Sequence, residues 1–157
     1  MATATQVFGI TNVLTVTNLH SLGDNAFWQS AKITNNVILG FWAEVYVTIV
    51  TTTSAGDANG VINLRMAASE DDTLFAGQLT GSEGSYADTA NLDHRHTSQV
   101  ASFPCDASEV TARTYRYRAV IHDLPKFFAL LIENKSGQAL ASAANVVEYS
   151  IHKYASA

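Results

Sequence analysis

Phe127-Phe128-Ala129-Leu130-Leu131-Ile132-Glu133-Asn134-Lys135-Ser136-Gly137-Gln138-Ala139-Leu140 is the stretch on which the fold turns. Its first half is apolar with no polar alternation, and a Lys-Ser-Gly breaker follows. Such a run reads as a strand covered on both faces, by a second sheet or by a partner subunit. That is the signature of a building block, and nothing in it spells out a reaction.

Working outward, strand signals recur at the spacing of a sandwich. From Gly40 to about Thr52, Phe41, Ala43, Val45, Val47 and Ile49 share one face, expected inward; Trp42, Glu44, Tyr46, Thr48 and Val50 share the other. Ser54-Ala55-Gly56-Asp57-Ala58-Asn59-Gly60 reverses the chain, because Gly and Asn accept turn conformations. Val61 to Ser69 returns antiparallel, with Ile62, Leu64, Met66 and Ala68 inward and Asn63 and Arg65 outward, so Arg65→Asp is expected to be tolerated. Further strands are expected near Val13–Leu19, Ala26–Ile33, Gln99–Phe103, Val110–Ile121, Lys126–Asn134 and Val146–Tyr154. No stretch carries a capped apolar stripe of helical period. The expected fold is all-β: an antiparallel two-sheet β-sandwich, jelly-roll-like, of about eight strands, with a long loop near residues 70–98. The chain of 157 residues is read as one domain with a candidate N-terminal arm over residues 1–12, for which a frayed terminus is the duller account.

Charge and cysteine content exclude several functions. A formal net charge of -5 offers no electrostatic footprint for nucleic acid, since phosphate binding needs a broad basic patch. Arg113, Arg116 and Arg118 are the basic cluster, and strand alternation divides them between faces. Cys105 is the lone cysteine, which rules out an intrachain disulfide or a cysteine zinc cluster, and it is expected to be a small buried side chain. No secretory pattern and no bilayer-length apolar run are visible, so a soluble, unsecreted protein with no membrane partner is expected.

The long connection from Glu70 to Ser98 interrupts the rhythm; connections of that length are usually functional or disordered, and this one is the candidate for a partner-contacting arm. It contains Asp93-His94-Arg95-His96, where His94 and His96 point to one side of an extended chain and are the low-probability metal candidates. Two ligands are too few for a site, so no metal and no cofactor is expected. Glu70-Asp71-Asp72 lacks calcium-loop spacing and reads as a solvated acidic turn. His20, His122 and His152, with Asp24 or Asp123, invite a triad, but no Gly-x-Ser-x-Gly elbow is present and no catalysis is expected. Trp28, Trp42, Tyr46, Tyr115 and Tyr117 would stack on sugars if exposed together, and aromatics at such positions are more often core or interface. The stripe Trp42, Tyr46 and Val50 on the outer face of its strand is what a subunit contact leaves in a sequence.

Leu22, Ala26-Phe27-Trp28-Gln29-Ser30-Ala31, the Phe41 to Val50 strand, Pro125-Lys126-Phe127-Phe128 and the following Glu133 to Leu140 segment together resemble small virion proteins of tailed bacteriophages, the capsid decoration (cement) and head or tail accessory proteins. The resemblance implies a jelly-roll-like sandwich that acts by binding, as a homo-oligomer with a trimer favoured, at the capsid surface of the virion. The major capsid protein is then the implied partner. The Glu70 to Ser98 connection is longer than that group's. Interface candidates are Trp42, Tyr46, Phe127, Phe128, Asp93, His94, Arg95 and His96. The alternative is a tail or fibre component that binds host-surface glycans; a cupin-like metal enzyme built on His94 and His96 is the remaining rival.

Overall fold

The computed structural model describes residues 4–35, 40–69, 79–87, 97–108 and 110–156, and among these no helix forms. Eleven strands appear in chain order: Ala4–Val7 (β1), Asn12–Val13 (β2), Phe27–Gln29 (β3), Ile33–Thr34 (β4), Trp42–Val50 (β5), Val61–Ser69 (β6), Gly84–Tyr86 (β7), Thr97–Pro104 (β8), Thr114–His122 (β9), Phe127–Lys135 (β10) and Val146–Ser156 (β11). They form two antiparallel sheets, one ordered β1-β11-β5-β9 with β2 also on β11, the other β7-β3-β10-β6-β8 with β4 also on β10. β1 and β2 are two pieces of one edge strand along β11, and β3 and β4 two pieces of one strand along β10. Merging each pair and setting β7 aside leaves eight strands in the orders 1-8-3-6 and 2-7-4-5, the topology of a jelly roll.

The core lies between the sheets and is built by strand alternation. Ala43, Val45, Val47 and Ile49 of β5 meet Phe128, Leu130 and Ile132 of β10 and Ile62 and Leu64 of β6. Tyr115, Tyr117 and Tyr149 pack partly against this cluster. Phe41 departs from the expected inward face: it precedes β5 at a bend and stands exposed. The alternation extrapolated from Ala43 backwards fails there because the chain leaves the sheet at Gly40.

β10 is covered on both faces, as its composition demands, and the outer cover comes from the chain itself. Ala129 and Leu131 pack with Phe27, Ala67 and Leu79 in a second cluster, against which Tyr86 also lies. The Phe27 and Tyr86 rings stack with centroids 4.7 Å apart. β7 therefore acts as a strap: it pairs with β3 and turns Tyr86 over the outer face of the second sheet. This changes the environment of the residues expected to face water. Asn63 is buried, and Arg65 is mostly covered and reaches Glu133, its Nε 3.4 Å from Oε2.

Three expected strands begin or end elsewhere, and the candidate N-terminal arm contains a strand. Val13–Leu19 is strand only at its start, because Leu19 and His20 donate back to Val16 O in a turn. Ala26–Ile33 is broken at Ser30, whose Oγ donates to Ala31 O and accepts from Leu130 N. Val110 is exposed and β9 begins only at Thr114. Residues 4–7 of the N-terminal segment are a paired strand on β11.

The turn after β10 is fastened by its polar side chains. Buried Asn134 donates through Nδ2 to Leu22 O, Gly23 O and Gln138 O, and its Oδ1 accepts from Ser136 N and Oγ. Gly137 sits at φ +79, where a Cβ would come within 2.6 Å of Asp57 N, so glycine is required on two counts. The Glu-Asn-Lys-Ser-Gly segment is thus a structural knot that joins three turns.

Candidate functional site

Every inward position of β5 is spent on the core, so any binding chemistry of this strand lies on its even, outer face. There the register sets Trp42 opposite His122 on β9 and His152 on β11, and Tyr46 opposite Arg118 on β9. Trp42 stacks on the His152 ring with centroids 4.0 Å apart. His152 is itself buried: Gly9 N donates to its Nδ1 at 3.2 Å, Ser150 Oγ lies 2.9 Å from its Nε2, and Phe8 meets it edge-on at 5.5 Å. With Nδ1 accepting, Nε2 carries the proton and donates to Ser150.

Beside Trp42, Glu44 accepts from the Tyr46 hydroxyl at 2.5 Å and from the Arg118 guanidinium. The Tyr46 hydrogen bond, then that of Arg118, holds the Glu44 carboxyl below its ordinary range, and the same bond raises the Tyr46 phenol. Phe41, Tyr154, Val120 and Asp123 complete the walls of a groove of about 360 Å³ over Trp42, Glu44, Arg118 and His122. Phe41 and Tyr154 were not singled out in the sequence as site residues. The signal was Gly40, which ends the alternation and frees the next ring from the core.

The other residues named from sequence are dispersed. Trp28 lies in the core with Nε1 donating to Glu83 at 2.7 Å, so it offers no stacking face. Phe128 is buried between the sheets, and Phe127 is buried with the Lys32 and Lys126 ammonium groups over its ring. Neither phenylalanine presents a surface to a partner, a correction that follows from the chain covering both faces of β10. His20 contacts Asn145 Nδ2 at 3.2 Å, while His122 lines the groove and His152 is enclosed elsewhere, so the three histidines do not converge. Among the described residues no group of three or more His, Cys, Asp or Glu is placed to hold a metal. Asp93, His94, Arg95 and His96, like Glu70-Asp71-Asp72, lie outside the described residues. Cys105 is buried beside Asp106, and burial first, then that carboxylate, pushes its thiol up to about 11. A thiol so disposed is a poor nucleophile.

No family model and no curated protein matches the chain. Among solved structures, a likeness extends to the crystal structure of dimeric latent PorU from Porphyromonas gingivalis, at 10% identity and TM-score 0.31, covering 97% of this chain and 13% of that one. A likeness of that size carries no argument about fold or function.

Proposed function

We propose that this chain is a non-enzymatic virion structural protein, a capsid decoration (cement) protein that binds and stabilises the major capsid lattice of a tailed phage. The observation that carries the reading is the apolar edge of the first sheet, on which no further strand pairs among the described residues. β1 ends the strand order, and along the β1–β2 edge Val7 is 37%, Phe8 68%, Ile10 80% and Val13 67% exposed. Sheet edges left bare in this way are liabilities unless something pairs with or covers them. A lattice seam is such a cover: extended chain adds to the edge while the apolar side chains enter the partner's surface. Each contact is modest, and repetition over many copies, as in the homotrimer that the resemblance to phage virion proteins favours, makes attachment firm.

The test uses particles that lack the protein. They are expected to assemble and to rupture at a lower temperature than complete particles, and purified protein added back restores them. Ile10→Ser with Val13→Ser, which touches only exposed positions, is expected to keep the melting temperature within a few degrees and to abolish both attachment and rescue. Particles equally robust without the protein, with the protein found at the tail tip, would overturn this reading in favour of a receptor-binding tail component.

A further inference from the structure

The groove on the outer face is built as a rigid site, and its rigidity begins at Asn35. That buried amide brackets Gly40, donating to Gly40 O at 3.0 Å and accepting from Gly40 N at 2.8 Å, and Nδ2 also lies 3.3 Å from Pro125 O. Gly40 packs so closely that a Cβ would fall 2.1 Å from Ile151 Cγ2 and 2.8 Å from His152 O. Phe41 follows directly, with its N–H donated to His152 O at 2.9 Å and its carbonyl accepting from Leu124 N. The backbone that carries a ring 59% exposed is thereby held in place, and the ring lies beside a Tyr154 that is 55% exposed, with centroids 6.2 Å apart and planes at 43°. Trp42 is fixed by its stack on enclosed His152, and Glu44 by Tyr46 and Arg118. Folding gains little from presenting two large rings to water on a hydrogen-bonded backbone, whereas a binding site gains preorganisation.

Apolar ring faces on the walls and paired acceptor and donor groups on the floor are the complement of a polyhydroxyl ring. Its C–H face lies on an aromatic surface while adjacent hydroxyls donate to a carboxylate and accept from a guanidinium. Glu44 and Asp123 provide acceptors, Arg118 donors, and His122 further polar capacity. With two carboxylates against one guanidinium, in a chain of net charge -5, the groove repels anions such as phosphate, sulfate or a sialylated sugar. We propose that this groove is a binding site for a neutral pyranose, the terminal ring of an uncharged glycan. The lining residues Phe41, Trp42, Glu44, Arg118, Asp123 and Tyr154 are distinct from the exposed side chains Ile10 and Val13 of the β1–β2 edge, although Phe8 and Gly9 of that edge hold the His152 on which Trp42 stacks.

The experiment is a nitrogen-15 NMR titration of the full chain. The probes are methyl glycosides of glucose, galactose, mannose and N-acetylglucosamine and their short oligomers, with sialyllactose and choline as charged comparators. Saturable shifts centred on residues 41–44, 118–123 and 154 are expected for at least one neutral sugar, little changed between low and high salt. Phe41→Ala and Tyr154→Ala, both at exposed positions, are each expected to weaken that affinity about tenfold with unchanged melting temperature, while Ile10→Ser leaves it intact. Absence of binding to every neutral sugar, binding that survives both ring truncations, or preference for sialyllactose or choline would overturn the assignment. So would a Phe41→Ala effect confined to self-association.

Discussion

Glu133 shows at the scale of one residue how the pairing of β6 with β10 changes what a side chain does. Burial raises its carboxyl, but the Asn63 amide, Lys135 and Arg65 together outweigh this and leave it below its ordinary 4.5. Asn63 Nδ2 donates to Oε2 at 2.9 Å, and Lys135 Nζ lies 3.3 Å from Oε1. A carboxyl depressed on folding stabilises the native state fully above its unfolded value, and that contribution is lost as pH falls through the folded one. The margin of the wild type over Glu133→Gln is therefore expected to be constant from neutral pH down to about 5 and to shrink below 4.5, followed as melting temperature against pH. Arg65→Asp would set a second carboxylate beside this one where little solvent reaches, and is expected to cost about 3–5 kcal/mol. Sequence alternation alone predicts tolerance at Arg65, so a denaturant midpoint decides between the readings. Val47→Asp, in the main core, is expected to be at least as severe by the same measurement.

Among elements, β10 is the hinge of the whole architecture because it has no wet face. Its inner side chains seal the sandwich, and its outer ones, Ala129 and Leu131, lie under Leu79 and Tyr86. Leu131→Ala is therefore expected to cost about 2–5 kcal/mol in equilibrium unfolding, in the same range as Leu130→Ala. A value near zero for Leu131→Ala in the isolated chain would mean that the outer cover is not in place. The covered outer face also shows how a run that reads as covered by a second sheet or by a partner subunit is covered within one chain: composition marks burial and does not say which segment does the burying. The segment responsible, Leu79 to Tyr86, is rich in Gly, Ser and Thr and carries its two apolar anchors far apart, which is why it reads as part of a long functional connection and not as a cover for its own sheet.

For the molecule as a whole, the jelly roll joins most strands to partners distant in sequence: β1 pairs β11, and β3 pairs β10. Local opening of such a sheet exposes little that is not cooperative with the rest, and Cys105 reports on it. Its thiol is buried, and its N–H donates to Gly60 O at 2.8 Å in the closure between β6 and β8. Modification of Cys105 by a disulfide reagent is expected to be negligible in the native protein and to proceed at the global unfolding rate, giving the same rate as loss of the far-ultraviolet signal. Labelling faster than unfolding would place the β6–β8 end of the sandwich outside the cooperative unit.

The β class, the eight-strand count, the inward faces of β5 and β10 and the turn chemistry around Gly137 were legible in the chain, because alternation and breaker residues are local properties that the backbone expresses wherever it lies. Trp42 stood out for the same reason, as an aromatic on the face of β5 that the core did not need. What folding alone decided is which distant surfaces meet. The backbone bend after Gly40 placed Phe41 opposite Tyr154, more than a hundred residues away. The pairing of β11 with β5 enclosed His152 beneath Trp42, Leu79 and Tyr86 came to pack with Leu131, and the pairing of β6 with β10 set Asn63 and Arg65 against Glu133. No local pattern encodes these contacts, since each depends on strand order and register, which are selected by the packing energy of the assembled sheets as a unit.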